Sequence, residues 1–280
     1  MKRLLKLLIS LALCATDLLR NAARKILRRQ ARSTYVVVYY HSIPKNERPH
    51  FAKQMEVLAR LTTPVKLGEP LPMSSGFRYS SVTFDDVFAN VLEHALPELQ
   101  KWHIPSVFFV TTGRLGQKAD WWPVGTAEKE ETLVSEEQLR RLPEESVTIG
   151  SHSVSHPKFT CLTKASAWKE LLDSREALSR ALQRDISFFS FPYGAYTDAS
   201  IDLCRLAGYG RVFTTIPVLA STSQEFVTGR VGVNPSDWPC EFRLKLLGSY
   251  RWLPYAFWLK KQLLSSLNRV ERRRPTRSTA

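Results

Sequence analysis

Cysteine is scarce and widely spaced: Cys14, Cys161, Cys204 and Cys240 are the four in the chain, and no CxxC pair occurs. That argues against a disulfide framework or a thiolate zinc site and fits buried or incidental thiols in a reducing compartment. Long apolar runs are missing too. The stretch Leu7–Ala15 falls far short of the roughly 20 residues a membrane-crossing helix needs. No internal repeat or low-complexity tract appears before the Arg-rich tail Arg272–Arg277. A net basic charge is absent from the body, although the formal net charge of the chain is +14. Residues 1–32 hold nine Lys/Arg and one acid, and residues 243–280 hold ten and one, which leaves 21 basic against 24 acidic residues between them. A basic cleft for nucleic acid is disfavoured, and contact of both ends with an anionic membrane surface is the expectation.

The 280 residues, 44% hydrophobic and 11% aromatic, suffice for one large domain such as an α/β barrel. Three parts are expected: an amphipathic basic helix over 1–32, a catalytic body over 33–242, and an aromatic and basic helix with the Arg-rich tail over 243–280. In the first, Arg3, Lys6, Ser10, Asp17, Arg20, Arg24 and Arg28 recur at helical steps opposite Leu4, Leu8, Leu11, Leu18 and Ile26. Its readings are an interfacial helix, a signal or anchor segment, and a helix packed on the protein's own body. No A-x-A cleavage site accompanies it. At the other end, Tyr250, Trp252, Tyr255, Phe257 and Trp258 interleave with Arg251, Lys260 and Lys261. That pattern suits either the water–lipid boundary or a helix closing one face of the fold.

In the body, strand-like and helix-like segments alternate. Strands are expected at Tyr35–Tyr40, Ser81–Phe84, Val107–Thr111, Val147–Gly150, Ile186–Phe191 and Val212–Thr215. Helices are expected at Phe51–Leu61, Val87–Lys101, Lys164–Gln183 and Ser200–Ala207, with Ser135 and Gln138 at capping-box spacing. Such alternation predicts parallel strands with crossover helices, the arrangement that carries its chemistry just after the strands.

Two polar islands stand at strand ends: Asp85-Asp86, and His152 and His156 in Ser151-His152-Ser153-Val154-Ser155-His156. Neighbouring strand residues point to opposite faces, so both acids enter one pocket only where the strand stops. Two imidazoles and one carboxylate make a His₂Asp set with open positions, as a catalytic divalent ion requires. The second carboxylate is then free to act as a base. Each island alone is weak, because an acid pair after a strand is more often a cap or turn.

With the third segment, Phe191-Pro192-Tyr193-Gly194, the chain resembles the polysaccharide deacetylase (NodB-homology) family, carbohydrate esterase family 4, over roughly Tyr35–Trp238. The resemblance implies a distorted (β/α) barrel, a divalent metal (usually Zn²⁺) and removal of acetyl groups, mostly N-acetyl, from a glycan. By position it implies Asp85 as general base, Asp86, His152 and His156 as metal ligands, and the Tyr193 N–H as an oxyanion donor. Pro192, Asp237 and Trp238 become substrate-groove residues, Asp237-Trp238 being similar to a later family motif. Trp121 and Trp122 are open between sugar contact and core.

Three departures stand out. Val87 replaces the glycine expected after the acids. The arginine of the third motif is replaced near Ser190, which leaves Asp237 without its pair, and no late histidine follows His156. Tyr40-His41 resembles the opening strand of the exopolysaccharide branch, which makes His41 the candidate general acid, or a histidine merely bonded at a strand end. The expected protein is a peripheral, membrane-associated deacetylase acting on a bacterial polysaccharide or lipid-linked saccharide, the side of the membrane left open with the cytoplasmic face favoured. The rivals are a catalytically impaired glycan-binding member and a glycoside hydrolase, the latter disfavoured because adjacent acids cannot flank a glycosidic bond.

Overall fold

The computed structural model describes residues 3–30, 33–71, 76–216, 225–257 and 259. Helix α1 (Arg3–Ile26) leads into β1 (Thr34–Tyr40), α2 (Arg48–Leu61), the two-residue β2 (Thr63–Pro64) and β3 (Arg78–Asp86). Next come α3 (Leu96–Lys101), β4 (Ser106–Val110), α4 (Ala127–Glu130), α5 (Glu136–Arg140), β5 (Val147–Ser151) and α6 (Lys164–Leu182). β6 (Phe188–Ser190), α7 (Asp198–Leu206), β7 (Arg211–Thr214), β8 (Val227–Gly229), β9 (Val231–Gly232) and α8 (Pro239–Leu246) complete the order.

Eight strands run side by side as β8-β7-β6-β5-β4-β3-β1-β9, with β2 against the start of β3. Every pairing is parallel. The two edge strands follow each other in sequence, separated by Arg230 alone, so the sheet curls until it nearly closes: a distorted (β/α) barrel. Alternation sorts the core. Tyr35, Val37, Tyr79, Val107, Phe109 and Phe213 cluster in one layer, and Val36, Val38, Tyr40, Val82, Phe84 and Phe108 belong to the larger layer under the helices.

Two expectations change. The helix expected from Val87 starts later, because Phe88 bridges to Leu133 and Val91–Ala95 is π-helical before α3. Pro97, which has no N–H to give, opens α3 and accounts for the loosened turn before it. Strands β8 and β9 were not anticipated, since three and two residues are too few to show alternation. The Ser135 capping box is present. All four cysteines are free thiols. No described helix is long and apolar enough to cross a membrane. Trp258 and the Arg-rich tail lie outside the described residues.

Candidate metal centre and active site

Asp85 follows Tyr79, Ser81 and Thr83 in alternation, which turns it into the barrel bore. Asp86 would point outward if the strand continued. Instead Asp86 and Val87 both take positive φ (66° and 56°), and the chain folds back so that the second carboxylate enters the mouth. A β-branched valine in that region is strained; here it is buried completely and bonded through its carbonyl to the Val134 N–H. Ser153, His156 and Tyr193 also have positive φ. Strain of this kind collects where surrounding contacts over-determine a functional loop. Gly194 allows no alternative: its φ is +61°, and a Cβ there would lie 1.9 Å from Thr215 Oγ1.

Asp86, His152 and His156 converge, with potential ligand atoms all within 4.8 Å of one another. Asp86 Oδ1 lies 3.3 Å from His156 Nε2 and 3.8 Å from His152 Nε2. The Nδ1 of His152 lies 2.8 Å from the Ser190 carbonyl; as a donor there it leaves the Nε2 lone pair facing the cluster. Asp86 Oδ1 is buried and has no hydrogen-bond partner. Burial holds His152 and His156 neutral, lowering them to about 4 and about 2. Burial, reinforced by the Asp85 charge, raises Asp86 to about 7. Two neutral imidazoles and a carboxylate with an orphaned oxygen fit a divalent cation such as zinc and are costly without one.

The other Asp86 oxygen accepts from both indoles, Trp121 Nε1 at 3.3 Å and Trp122 Nε1 at 3.1 Å. Trp121 also stacks on His156, 4.3 Å between centroids. Both tryptophans therefore orient the ligand set. The histidine loop is pinned from outside by Glu170 of α6, which accepts from Val154 N (2.8 Å), Ser155 N (3.0 Å) and Ser155 Oγ (2.6 Å).

Asp85 has a different partner. Arg230, fully buried at the seam between β8 and β9, donates to both its oxygens at 2.7 and 2.8 Å. The same guanidinium donates to Thr83 Oγ1 (3.0 Å) and Ser190 Oγ (2.7 Å) and lies 4.7 Å from the Tyr39 ring centroid and 5.1 Å from that of Phe109. Burial alone would raise Asp85; Arg230 overrides it and brings the acid to about 2. The residue near the expected third-motif arginine, Ser190, accepts from this guanidinium, which arrives from the β8–β9 seam and engages Asp85, not Asp237, a pairing the sequence did not reveal. Its only signal was an isolated cation in the apolar run Val227–Val233.

His41 directly follows β1, its ring 5.1 Å from Trp122, the indole that also binds Asp86; burial lowers its pKa, opposed by the Asp85 charge. Tyr193 stands at the rim, about half exposed, its ring 4.6 Å from His156; Pro192 is buried beneath it. Asp237 and Trp238 are not brought to this cluster. Asp237 pairs with Lys245 of α8 at 2.6 Å, and Trp238 stacks under Arg3 of α1 at 4.3 Å. The chain leaves the barrel after β9 and folds over α2, where Gln54 donates to the Asn234 carbonyl, so the pair faces the flank. The expected groove role of Asp237 and Trp238 has no support in these contacts.

Residues 74–212 match the family described as polysaccharide deacetylase. A poly-β-1,6-N-acetyl-D-glucosamine N-deacetylase of Staphylococcus aureus (strain MRSA252) is 28% identical over 136 residues, 45% of this chain and 44% of that protein. YxkH of Bacillus subtilis is 25% identical over 155 residues, 55% and 51% of the two chains. The chain thus spans about half the length of the curated relatives it matches. Among solved structures, IcaB from Ammonifex degensii superposes with a TM-score of 0.65 at 25% identity, over 77% of this chain and all of that one. The Streptococcus pyogenes deacetylase PplD, 18% identical, shares the fold with a TM-score of 0.61 over 76% of this chain and 98% of its own.

Proposed function

For a chain that belongs to the polysaccharide deacetylase family, we propose a metal-dependent hydrolase that removes N-acetyl groups from an amino-sugar polysaccharide or lipid-linked saccharide of bacteria. The observation that carries the reading is the buried Asp86–His152–His156 cluster with its orphaned carboxylate oxygen, set beside a second, ionised carboxylate. These three residues would hold the ion, with zinc the best match to the donor set. When bound, such an ion polarises an acetyl carbonyl and acidifies a coordinated water.

The protein's own groups divide the remaining work. Asp85 stays ionised across the working pH range. With Arg230 against it, this weak base takes a proton only from a strongly acidified donor. Arg230 offsets its buried charge and fixes its orientation. Tyr193, carried on the strained turn at the rim, offers its backbone N–H to the developing oxyanion. His41, beside Trp122, is kept neutral by burial, so it must take up a proton during the reaction before it passes one to the leaving sugar amine. The impaired, glycan-binding reading rested on the missing arginine and the missing late histidine; Arg230 supplies a guanidinium to Asp85, while no histidine follows His156.

The test joins metal analysis to acetate release. Purified protein is expected to carry about one divalent ion and to release acetate, without new reducing ends, from β-1,6-linked N-acetylglucosamine oligomers within a panel of N- and O-acetylated glycans. Asp85→Asn is expected to keep the ion and lose acetate release. Wild-type rates from that variant would overturn the base assignment.

A further inference from the structure

Helix α1 lies on the barrel the wrong way round. A helix that only covers a barrel buries its apolar stripe and turns its polar one to water. Here Arg3, Ser10 and Asp17, spaced by seven, face the body. Arg3 Nε donates to Glu241 at 2.7 Å, Trp252 Nε1 donates to the fully buried Ser10 Oγ at 3.0 Å, and Arg251 donates to both Asp17 oxygens at 2.6 and 2.8 Å. Leu4, Leu8, Leu11, Leu19 and Ile26 point away and are 45–81% exposed. Tyr255 and Phe257, just past the segment that holds Ser10, are exposed as well. A contiguous apolar strip of this kind marks a surface that meets another phase or molecule.

Its surroundings are cationic. Between the C-terminal half of α1 and the N-terminal edge of the barrel is a cavity of about 960 Å³, lined by Arg20, Arg24, Lys25, Arg29, Arg78 and Arg251. The single acid in its wall, Asp17, is already engaged by Arg251. Among the described residues Arg20, Lys25, Arg29 and Arg78 have no ion-pair partner. An exposed leucine stripe edged by unneutralised cations is complementary to acyl chains under anionic headgroups.

We propose that α1 docks this protein on an anionic phospholipid bilayer, its leucine stripe entering the interface and the basic cavity taking lipid phosphates. The N-terminal end of α1 touches Trp238, just beyond the C-terminal end of β9, and its other end leads into the start of β1. The helix, roughly 36 Å long at 1.5 Å per residue, therefore runs along the flank, antiparallel to the strands. Docked by that flank, the barrel axis lies along the membrane and the catalytic mouth opens sideways, level with chains lying on the surface. The expected membrane contact thus uses the apolar side of α1, with its polar side committed to the barrel.

The test is vesicle flotation of the full chain. Binding to phosphatidylcholine vesicles containing phosphatidylglycerol is expected to exceed binding to pure phosphatidylcholine at least about tenfold and to weaken with salt. Leu8→Glu with Leu19→Glu, at two largely exposed positions, should lower binding at least about tenfold while leaving the thermal melt unchanged. Arg20→Glu with Arg29→Glu should do the same and reduce the salt dependence. Unaltered binding in the leucine variant, or binding indifferent to phosphatidylglycerol, overturns the proposal. So does a dimer that the leucine variant dissolves with no vesicle binding, since a second copy would then cover the stripe.

Discussion

At the barrel mouth, ionisable side chains are sealed from water; along α1, leucines face it. Both regions invert the usual division of polar and apolar groups, yet they are held in opposite ways. At the mouth Asp85, Asp86 Oδ2 and His152 Nδ1 are each tied by hydrogen bonds, with Arg230 alone donating to Asp85, Thr83 and Ser190, while Asp86 Oδ1 and His156 Nδ1 stay unpaired. Among the described residues nothing covers the leucines of α1, and polar contacts on the other side of the helix join it to the body. The first inversion is costly without its internal partners, so its chemistry can be read from what remains unpaired, chiefly Asp86 Oδ1. The second costs little structurally and points outward to a partner.

The contrast sharpens most at the ligands. Asp86→Ala or His152→Ala should remove the bound ion and lower acetate release by about 10³-fold or more, readable by metal analysis and product assay, with the fold retained. Next comes the buried pair. Arg230→Met leaves Asp85 charged and alone, and denaturant unfolding should report a loss of about 3–5 kcal/mol. Arg230→Lys should recover only part of that, because an ammonium cannot reproduce the two-oxygen grip.

A pH series tests the ligand set itself. His152 and His156 are held near 4 and 2, so they are already neutral at pH 7, whereas Asp86, near 7, still binds a proton. Metal uptake should therefore release about half a proton at pH 7 and close to one at about pH 6. Affinity should fall about tenfold per unit as pH drops from 7 toward 4, with a flat response above 7. Calorimetry in buffers of different ionisation enthalpy measures both, and a release of two or more protons would mean that the histidines are charged in the metal-free protein. Trp122→Phe, which removes one N–H from Asp86, should weaken metal binding about tenfold. The smallest effect belongs to the flank: Asp17→Ala breaks a pair that is about a quarter to a third exposed and should cost no more than about 1 kcal/mol in a thermal melt. A larger loss would mean that α1 is an integral part of the barrel.

What could be read in advance divides by sequence distance. Asp85-Asp86, His152 with His156, and Pro192-Tyr193 each lie within a few residues and end or follow a strand, so spacing marked the first two islands and the family resemblance, carried by all three in order, marked the third. Arg230 reaches Asp85 from 145 positions away, the tryptophans reach Asp86 from 35 and 36, and Glu170 reaches the histidine loop from 15 or 16. No local pattern links such residues. Asp237 and Trp238 show the converse: the motif is present, but the contacts these side chains make are with Lys245 and Arg3.

By itself the sequence determined the parallel strand–helix alternation, the chemistry at the strand ends and the amphipathic character of α1, because all three are written in neighbouring residues. Only the tertiary structure decided which cation neutralises Asp85, which indoles orient Asp86, and which face of α1 looks outward. Those outcomes depend on how the barrel closes at its seam and on which polar groups the finished surface offers to the helix.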